Sequence, residues 1–126
     1  MGQPLQARPV FGLIGDMTLA MKIVKAAKSY YLNTRNFDRA ELLIQAAQQE
    51  RPCLVIVDCE SREAETFQLL SRLKAIKEME EIPVVGFVTA VKRKVGEEAQ
   101  SAGCMRVYLK TEFLNHLESI FVRYAR

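Results

Sequence analysis

Short apolar runs alternate with segments of helical periodicity along this chain, and this alternation limits the fold more than any other feature of the sequence. Each of five apolar runs is followed by a segment of helical periodicity, with apolar residues at i, i+3, i+4 and i+7 in the clearest cases and a sparser stripe in the fourth. Strands that alternate with helices build parallel sheets, because each right-handed crossover returns the chain to the same edge of the sheet. The sequence therefore predicts an α/β fold, a three-layer sandwich in which five βα units form one doubly wound, parallel, five-stranded sheet.

The run CLVIV at residues 53–57 is the clearest of the predicted strands. It is apolar at every position, whereas a half-exposed strand would alternate, so we expect it to be buried on both faces. The predicted strands are VFGLI (10–14), YYL (30–32), CLVIV (53–57), PVVGFV (83–88) and CMRVYL (104–109). The predicted helices carry their apolar stripes within residues 20–27, 40–47, 66–73, 95–102 and 117–124.

The length and the cysteine content indicate one domain that needs no metal or disulfide to fold. A chain of 126 residues suits a single core, which we expect to span residues 10–126 after a flexible segment over residues 1–9. The three cysteines form no CxxC pair and are accompanied by a single histidine, which favours reduced thiols and a cytoplasmic location. No apolar run approaches the ~20 residues of a membrane span, so no membrane partner is expected.

The charge is too balanced to predict a nucleic-acid-binding surface. Eighteen basic residues are set against 15 acidic residues, which leaves a net charge of +3. Lys92, Arg93 and Lys94 form a small basic cluster, but a cluster of this size is more typical of a solvated face. We therefore expect no nucleic-acid partner.

Polar residues follow four of the five predicted strands. Gly15 and Asp16 follow the first strand, Asp58 the third, Thr89 the fourth and Lys110 the fifth. In doubly wound sheets the ligand site lies beyond the carboxyl ends of the strands, where the strand order reverses. Two carboxylates, a hydroxyl and an amine are therefore predicted to converge there. An aspartate after a buried strand is also a common turn residue, and Asp16 could cap the following helix.

From Val10 to Arg126 the sequence resembles the receiver domain of two-component response regulators. PCLVIVD stands where that family has a P-D-L-[IV]-x-x-D strand, and FVTA stands where it has a strand ending in Thr/Ser-Ala. AGCMRVYLK matches the pattern A-G-A-x-x-[YF]-x-x-K. The order and the spacing of these motifs match together. The resemblance implies a flavodoxin-like, receiver-like sandwich with the strand order 2-1-3-4-5.

The resemblance also implies the role of each site residue. Asp58 would be the phosphoacceptor, and Thr89 and Lys110 would contact the phosphoryl group. Mg²⁺ would be the cofactor, held by the carboxylates of Asp16 and Asp58 and by the backbone carbonyl of Glu60. A carboxylate that attacks a phosphoryl donor approaches an anion, so a divalent cation would offset the repulsion. Movement of the Thr89 hydroxyl toward the phosphoryl group would shift the loop after the fourth strand.

Several positions depart from the family pattern. Gly15 replaces the first acid of a commonly adjacent pair, which predicts weaker Mg²⁺ binding. In the loop CESREAET, Thr66 stands in the place of a glycine, and Thr111 replaces the proline that usually follows the lysine. Val107 occupies the position of a switching aromatic, with Tyr108 one position later. These departures predict a partly degenerate receiver, and leave open a pseudo-receiver that keeps the fold without the chemistry.

Three functional hypotheses follow. In the first, Asp58 accepts a phosphoryl group, and the domain changes its binding to protein partners in a phosphorelay, with no enzymatic activity beyond self-phosphorylation and autodephosphorylation. Its partners would be a histidine kinase or phosphotransfer protein upstream and a protein effector downstream. In the second, a pseudo-receiver acts as a phosphorylation-independent protein–protein interaction module. In the third, a small enzyme or flavin binder uses the same architecture, but no phosphate-binding loop follows the first strand.

The predicted partner surface lies between Val91 and Phe121. The fourth helix has the sparsest apolar stripe, which indicates a lightly anchored element, and the adjacent fifth strand and fifth helix would complete a docking face that could also form a homodimer. The residues predicted for this surface are Val91, Lys92, Val95, Val107, Tyr108 and Phe121.

Two further residue types allow a chemical role but favour a simpler one. Cys59 lies beside Asp58 and could respond to oxidants, but a small buried thiol is the more common situation. His116 lies off the apolar stripe of the last predicted helix, so we expect it to face solvent and not to act as a catalytic base.

Overall fold

A computed structural model describes residues 8–60 and 63–124 of the chain. The segment expected to be flexible, residues 1–9, therefore lies mostly outside the described residues. Its last two residues make hydrogen bonds: the backbone N–H of Cys53 donates to the carbonyl of Pro9 at 2.9 Å, and the Cys53 thiol donates to the carbonyl of Arg8 at 3.2 Å. From Arg8 onward the chain is thus held to Cys53, the residue that precedes the third strand.

One parallel sheet organises the molecule. Its strands are β1 (Val10–Leu13), β2 (Thr34–Asn36), β3 (Leu54–Asp58), β4 (Val84–Val88) and β5 (Arg106–Leu109). Every neighbouring pair is parallel, and the order is β2-β1-β3-β4-β5. The predicted fold class and strand order are confirmed.

Helices connect the strands. They are α1 (Met17–Lys28), α2 (Ala40–Glu50), α3 (Glu63–Ala75), α4 (Arg93–Ala102), α5 (Lys110–Asn115) and α6 (Leu117–Tyr124), with a 3₁₀ turn at Ala90–Lys92. In the part of the chain that the structure describes, none of these helices has the length and apolar character needed to cross a membrane.

The helices cover both faces of the sheet and form two cores. Val55 and Val57 lie in the core beneath α2, α3 and α4, whereas Leu54 and Ile56 lie in the core beneath α1, α5 and α6. Alternate residues of a strand point to opposite faces, so a strand between two cores must be apolar throughout. All five residues of β3 are buried, as the unbroken apolar run predicted.

The prediction of a strand at residues 30–32 is wrong. Tyr30 and Tyr31 belong to the turn after α1, and the left-handed φ of 59° at Tyr31 is incompatible with a strand. Tyr30 makes a tertiary contact instead, because the centroid of its ring lies 6.1 Å from that of Phe121. The real second strand, β2, is a polar edge strand of three residues, and an edge strand this short shows no apolar run.

The C-terminal helical region is divided at His116. The predicted last helix corresponds to α6, but a separate short helix, α5, precedes it. His116 lies between the two helices, not within the last one, and its backbone N–H donates to the carbonyls of Glu112 and Phe113 at 3.0 and 3.2 Å. The side chain of His116 is exposed, as expected. With Phe113 as its one buried residue, α5 is too short to give a periodic signal.

The structure requires glycine at two positions, at Gly86 because there is no room for a side chain and at Gly103 because of the backbone conformation. A Cβ atom on Gly86 in β4 would lie 2.6 Å from the Cys59 sulfur and 3.3 Å from the Cys104 sulfur, which leaves no room for a side chain. Gly103 ends α4 with a φ of 129°, a conformation that L side chains rarely adopt.

Candidate functional site

The strand register brings the predicted site residues to one edge of the sheet. Three facing pairs near the strand ends set this arrangement: Leu13 with Val57, Asp58 with Phe87, and Val88 with Leu109. Asp58 is the last residue of β3, and Thr89 and Lys110 each directly follow a strand residue in this register. Asp16 lies in the segment that follows β1. The predicted convergence at the carboxyl ends of the strands follows from the register.

Asp16 makes two interactions at the same edge of the sheet. One carboxylate oxygen accepts a hydrogen bond from the backbone N–H of Leu19 at 3.2 Å, so Asp16 caps α1, as its position after β1 suggested. The other oxygen lies 3.9 Å from the amine of Lys110. The side chains are 47% and 39% exposed, so solvent screens this ion pair, and it contributes at most about 1 kcal/mol to stability.

Asp58 is only 6% exposed, in contrast to Asp16. Its Oδ1 accepts a hydrogen bond from the backbone N–H of Glu60 at 3.2 Å. Thr66 stands in the place of a glycine of the family pattern. It is fully buried, and its hydroxyl donates to the backbone carbonyl of Asp58 at 3.4 Å. The first turns of α3 are therefore attached to the strand end that carries the candidate phosphoacceptor.

The carboxylate of Glu60 binds Thr89. The Thr89 hydroxyl lies 2.9 and 2.8 Å from the two carboxylate oxygens, and the Thr89 backbone N–H donates to one of them at 3.1 Å. Both residues are half-buried. The sequence predicted a role for the backbone carbonyl of Glu60 but not for its side chain. No spacing rule could have found this contact, because the two residues are 29 positions apart and are joined only by the pairing of β3 with β4.

The family resemblance implies that residues at this edge of the sheet would hold Mg²⁺. Mg²⁺ binds proteins through one or two carboxylates and keeps several waters, so Asp16, Asp58 and the backbone carbonyl of Glu60 would be enough donors if they met around one ion. Among the described residues, no three His, Cys, Asp or Glu side chains gather into a group that could hold a metal. Gly15 adds no acid where a third carboxylate would strengthen the site.

Two buried thiols, those of Cys59 and Cys104, lie beneath the site. Both sulfurs approach Gly86, and a hydrogen bond with Cys59, together with burial, raises the pKa of the Cys104 thiol. Burial also raises the pKa of Cys53. Because the thiolate is the reactive form, the raised pKa values keep Cys53 and Cys104 protonated and unreactive at neutral pH. Cys59 is fully buried, which agrees with a packing role.

Two of the residues predicted for the partner surface are buried, and that part of the prediction is wrong. Tyr108 is 7% exposed and Phe121 is 1% exposed. Tyr108 lies in the core beneath α5, with its ring 6.1 Å from that of Phe113, and burial and the nearby Tyr124 raise its pKa. The reason is that β5 alternates its faces and α6 turns its apolar stripe inward, so these side chains serve the core.

The other four residues predicted for that surface remain accessible. Val91 is 89% exposed, Lys92 is exposed, and Val95 and Val107 are half-buried. A groove of about 340 Å³ runs between α4 and β5, and Val107 is one of its lining residues. The accessible surface is therefore centred on α4 and the adjacent face of β5.

Comparison with known proteins identifies the architecture. No protein-family model matches the sequence, and no curated protein sequence matches it. Among solved structures, a response regulator from Hahella chejuensis aligns with a TM-score of 0.79 at 19% identity, covering 92% of this chain and 93% of that chain. The phosphorylated cyanobacterial phytochrome response regulator RcpA aligns with a TM-score of 0.78 at 14% identity, with 94% of each chain covered.

A further solved structure carries a divalent metal. The Mn²⁺-bound form of response regulator Rcp1 aligns with a TM-score of 0.71 at 12% identity, covering 90% of this chain and 91% of that chain. At these identities the likeness concerns the arrangement of the backbone. It nevertheless extends over almost the whole of both chains, with the strand order and helix placement described above. The chain therefore has the receiver-domain fold of the response regulators.

Proposed function

We propose that this chain is a receiver domain that accepts a phosphoryl group on Asp58 and thereby changes its binding to protein partners in a phosphorelay. The observation that carries the proposal is the position of Asp58 at the end of β3, in register with the strand ends that precede Thr89 and Lys110. An acid, a hydroxyl and an amine at adjacent strand ends suit phosphoryl transfer, which depends mainly on positioning and on charge stabilisation.

The transfer step requires little covalent chemistry from the protein. An oxygen of the Asp58 carboxylate supplies the electron pair for the new O–P bond. The P–N bond of a phosphohistidine, or the P–O bond of a small phosphodonor, breaks, and the leaving group keeps that electron pair. A histidine kinase or phosphotransfer protein would be the upstream partner for the first kind of donor.

The surrounding residues stabilise the anion that forms. The amine of Lys110 can contact a phosphoryl oxygen as a point charge, and it lies 3.9 Å from the carboxylate of Asp16 before transfer. Mg²⁺, when bound by Asp16, Asp58 and the Glu60 carbonyl, would supply the positive charge that offsets repulsion between carboxylate and donor. Thr89 carries a hydroxyl and a backbone N–H that can donate to the phosphoryl group.

The output follows from the connection between Thr89 and α4. Thr89 is joined to α4 by a 3₁₀ turn, and its backbone carbonyl accepts a hydrogen bond from the N–H of Lys92 at 3.0 Å. If the hydroxyl and the backbone N–H of Thr89 changed their hydrogen-bond acceptor, the turn that carries Val91 and the start of α4 would therefore move. The exposed Val91 and the groove beside Val107 would meet a protein effector or a second copy of the chain.

Intact mass measurement after incubation with acetyl phosphate and Mg²⁺ tests the proposal. We expect the mass to increase by one phosphoryl group, and we expect Asp58→Asn to remain unmodified because an amide oxygen is a poor nucleophile. Asp38→Asn, which changes an exposed acid outside the site, is the matched control and should still be modified. A wild-type chain that gains no mass at saturating donor concentration would contradict phosphorylation on Asp58.

Two observations favour the second candidate, a phosphorylation-independent interaction module. The donors of Thr89 are already satisfied by the carboxylate of Glu60, and Gly15 supplies no acid beside Asp16. In a pseudo-receiver of this kind the α4–β5 surface would keep one conformation. Such a chain would gain no phosphoryl group from acetyl phosphate, and Mg²⁺ with beryllofluoride would leave its NMR chemical shifts unchanged.

A further inference from the structure

Glu60 contacts both the candidate phosphoacceptor and the residue that would respond to it. Its backbone N–H donates to the Asp58 carboxylate at 3.2 Å, while its own carboxylate accepts from the hydroxyl and the backbone N–H of Thr89 at 2.8 to 3.1 Å. The pairing of β3 with β4 brings the two segments together. One residue thus connects the end of β3 with the end of β4.

Neither of the two Thr89 donors can serve two anions at the same time. A hydroxyl has one proton to donate and a backbone amide has one, whereas an ionised carboxylate is an acceptor with no proton of its own. Hydrogen bonds to an ionised group are stronger than neutral ones, so the contact between Glu60 and Thr89 is costly to lose without a replacement. A phosphoryl group would be such a replacement, because its oxygens also accept charge-assisted hydrogen bonds.

We infer that Glu60 is an internal competitor of the phosphoryl group. Its carboxylate holds Thr89 while Asp58 is unmodified, and it must leave Thr89 before a phosphoryl oxygen on Asp58 can accept the same two hydrogen bonds. This inference rests on the proposed function, because it assigns a regulatory role to Glu60 at the same site. The role extends beyond the backbone-carbonyl metal ligand that the sequence suggested.

The competition has an electrostatic component as well as a hydrogen-bonding one. A phosphoryl group adds roughly −1.5 to −2 charge, and the Glu60 carboxylate would then face an anion of the same sign. Repulsion and loss of hydrogen bonds would together move the Glu60 side chain away from Thr89. The Glu60 carboxylate therefore raises the concentration of phosphodonor that is needed to phosphorylate Asp58, and it lowers the stability of the phosphorylated form.

The first measurement tests the contact itself, without metal or phosphodonor. The hydrogen exchange rate of the Thr89 amide is followed by NMR in the wild-type chain, in Glu60→Ala and in Glu60→Gln. We expect exchange at Thr89 to be fastest in Glu60→Ala, on the order of tenfold above wild type, because no acceptor remains. Glu98→Gln, which neutralises an exposed carboxylate on α4, is the matched control and should leave the rate unchanged. Equal rates in all four chains would overturn the inference.

The second measurement tests the competition. Binding of beryllofluoride with Mg²⁺, a non-covalent phosphoryl analogue, is titrated in the same four chains. We expect Glu60→Gln to bind the analogue about tenfold more tightly than wild type and Glu98→Gln. In Glu60→Gln the analogue no longer has to displace a charge-assisted hydrogen bond, and a change of about tenfold in affinity is the size expected for one such bond. Equal affinity in wild type and Glu60→Gln would overturn the competition even if the Thr89 exchange rates differ.

The failure of the proposed function and the failure of the competition can be distinguished. If wild type gains a phosphoryl group and binds the analogue as tightly as Glu60→Gln, the proposed function stands and the competition is wrong. If wild type gains none and Glu60→Gln gains one, the proposed function is wrong for the wild-type chain and the competition is supported, because the carboxylate alone blocks the site. If no variant gains a phosphoryl group or binds the analogue, both the phosphoacceptor role of Asp58 and the competition are wrong. Urea unfolding of each variant confirms that it is folded.

Discussion

Asp16 shows how one residue can serve stability and the candidate site together. Its two carboxylate oxygens are used separately, one on the N–H of Leu19 and the other toward the amine of Lys110. An N-cap needs only an acceptor, whereas metal binding and ion pairing need the negative charge. The two roles can therefore be separated by replacing the charge while keeping the acceptor.

We expect Asp16→Ala to lower the free energy of unfolding by about 0.5–2 kcal/mol, since it removes the acceptor that caps α1. Asp16→Asn keeps an acceptor and should lie much closer to wild type. Both variants should bind Mg²⁺ more weakly, because each removes a carboxylate. Urea unfolding followed by circular dichroism measures the stability, and an NMR titration measures the Mg²⁺ affinity.

The control for this prediction is Asp38→Ala, which changes an exposed aspartate that caps no helix: α2 begins after Arg39 without a side-chain cap. Surface changes of this kind alter stability by less than about 0.5 kcal/mol. Equal losses of stability in Asp16→Asn and Asp16→Ala would show that the N-cap hydrogen bond is not the source of the effect.

At the scale of the element, α4 differs from the other long helices in how little of it is buried. Its buried residues are Gly96 and Ala99, neither of which has a large side chain, whereas α2 buries Ala40, Leu43, Ile44 and Ala47. Buried apolar area provides most of the free energy that holds a helix on a sheet. The weak anchoring of α4 suits an element that must respond to changes at Thr89.

We therefore expect the amide protons of α4 to exchange faster than those of α2 under native conditions. A difference on the order of tenfold would correspond to about 1.4 kcal/mol in the free energy of local opening. Native-state hydrogen exchange measured by NMR gives the rate for each residue. The central residues of each helix are the ones to compare, because helix ends fray regardless of packing. Equal protection in the two helices would contradict the idea that α4 is a mobile output element.

At the scale of the whole molecule, the two cores and the three cysteines are linked. Cys53 lies in the core beneath α1, and Cys59 and Cys104 lie in the core beneath α2, α3 and α4. All three are free thiols and are buried. Their reactivity therefore reports on both faces of the sheet at once.

We expect all three thiols to resist a thiol-specific reagent in the native protein and to react together on unfolding. The raised pKa values of Cys53 and Cys104 have a further consequence, because the unfolded thiols ionise at about pH 8.5 while the folded ones stay protonated. Stability from this source is complete below that pH and is lost as the pH rises above it. Reagent labelling across a urea series, at pH 7 and again above pH 9, measures both effects.

The unfolding transition seen by circular dichroism is the control for the labelling experiment, and its midpoint should coincide with that of labelling. One thiol that reacts at urea concentrations well below this midpoint would show that its core opens independently of the other. The two faces of the sheet would then not unfold as one cooperative unit.

Much of the fold could be predicted because its signals are local. The unbroken apolar run of β3 and the helical stripe of α2 each lie within a few consecutive residues, and the alternation of such segments predicted the fold class. The strand order was predicted from the family resemblance. The second strand could not be predicted in the same way. An edge strand of three polar residues has no periodic signal. Tyr30 and Tyr31 lie in a turn, and the ring of Tyr30 contacts Phe121 of α6.

The amino-acid sequence by itself determined the alternation of strands and helices and the residues that follow each strand, because period and order are properties of neighbouring residues. The tertiary structure alone decided which side chains meet. It turned Tyr108 and Phe121 into the core, and it placed the carboxylate of Glu60 on Thr89. These outcomes depend on the pairing of strands and the packing of helices across long separations, and a contact between residues 29 positions apart leaves no pattern in either local segment.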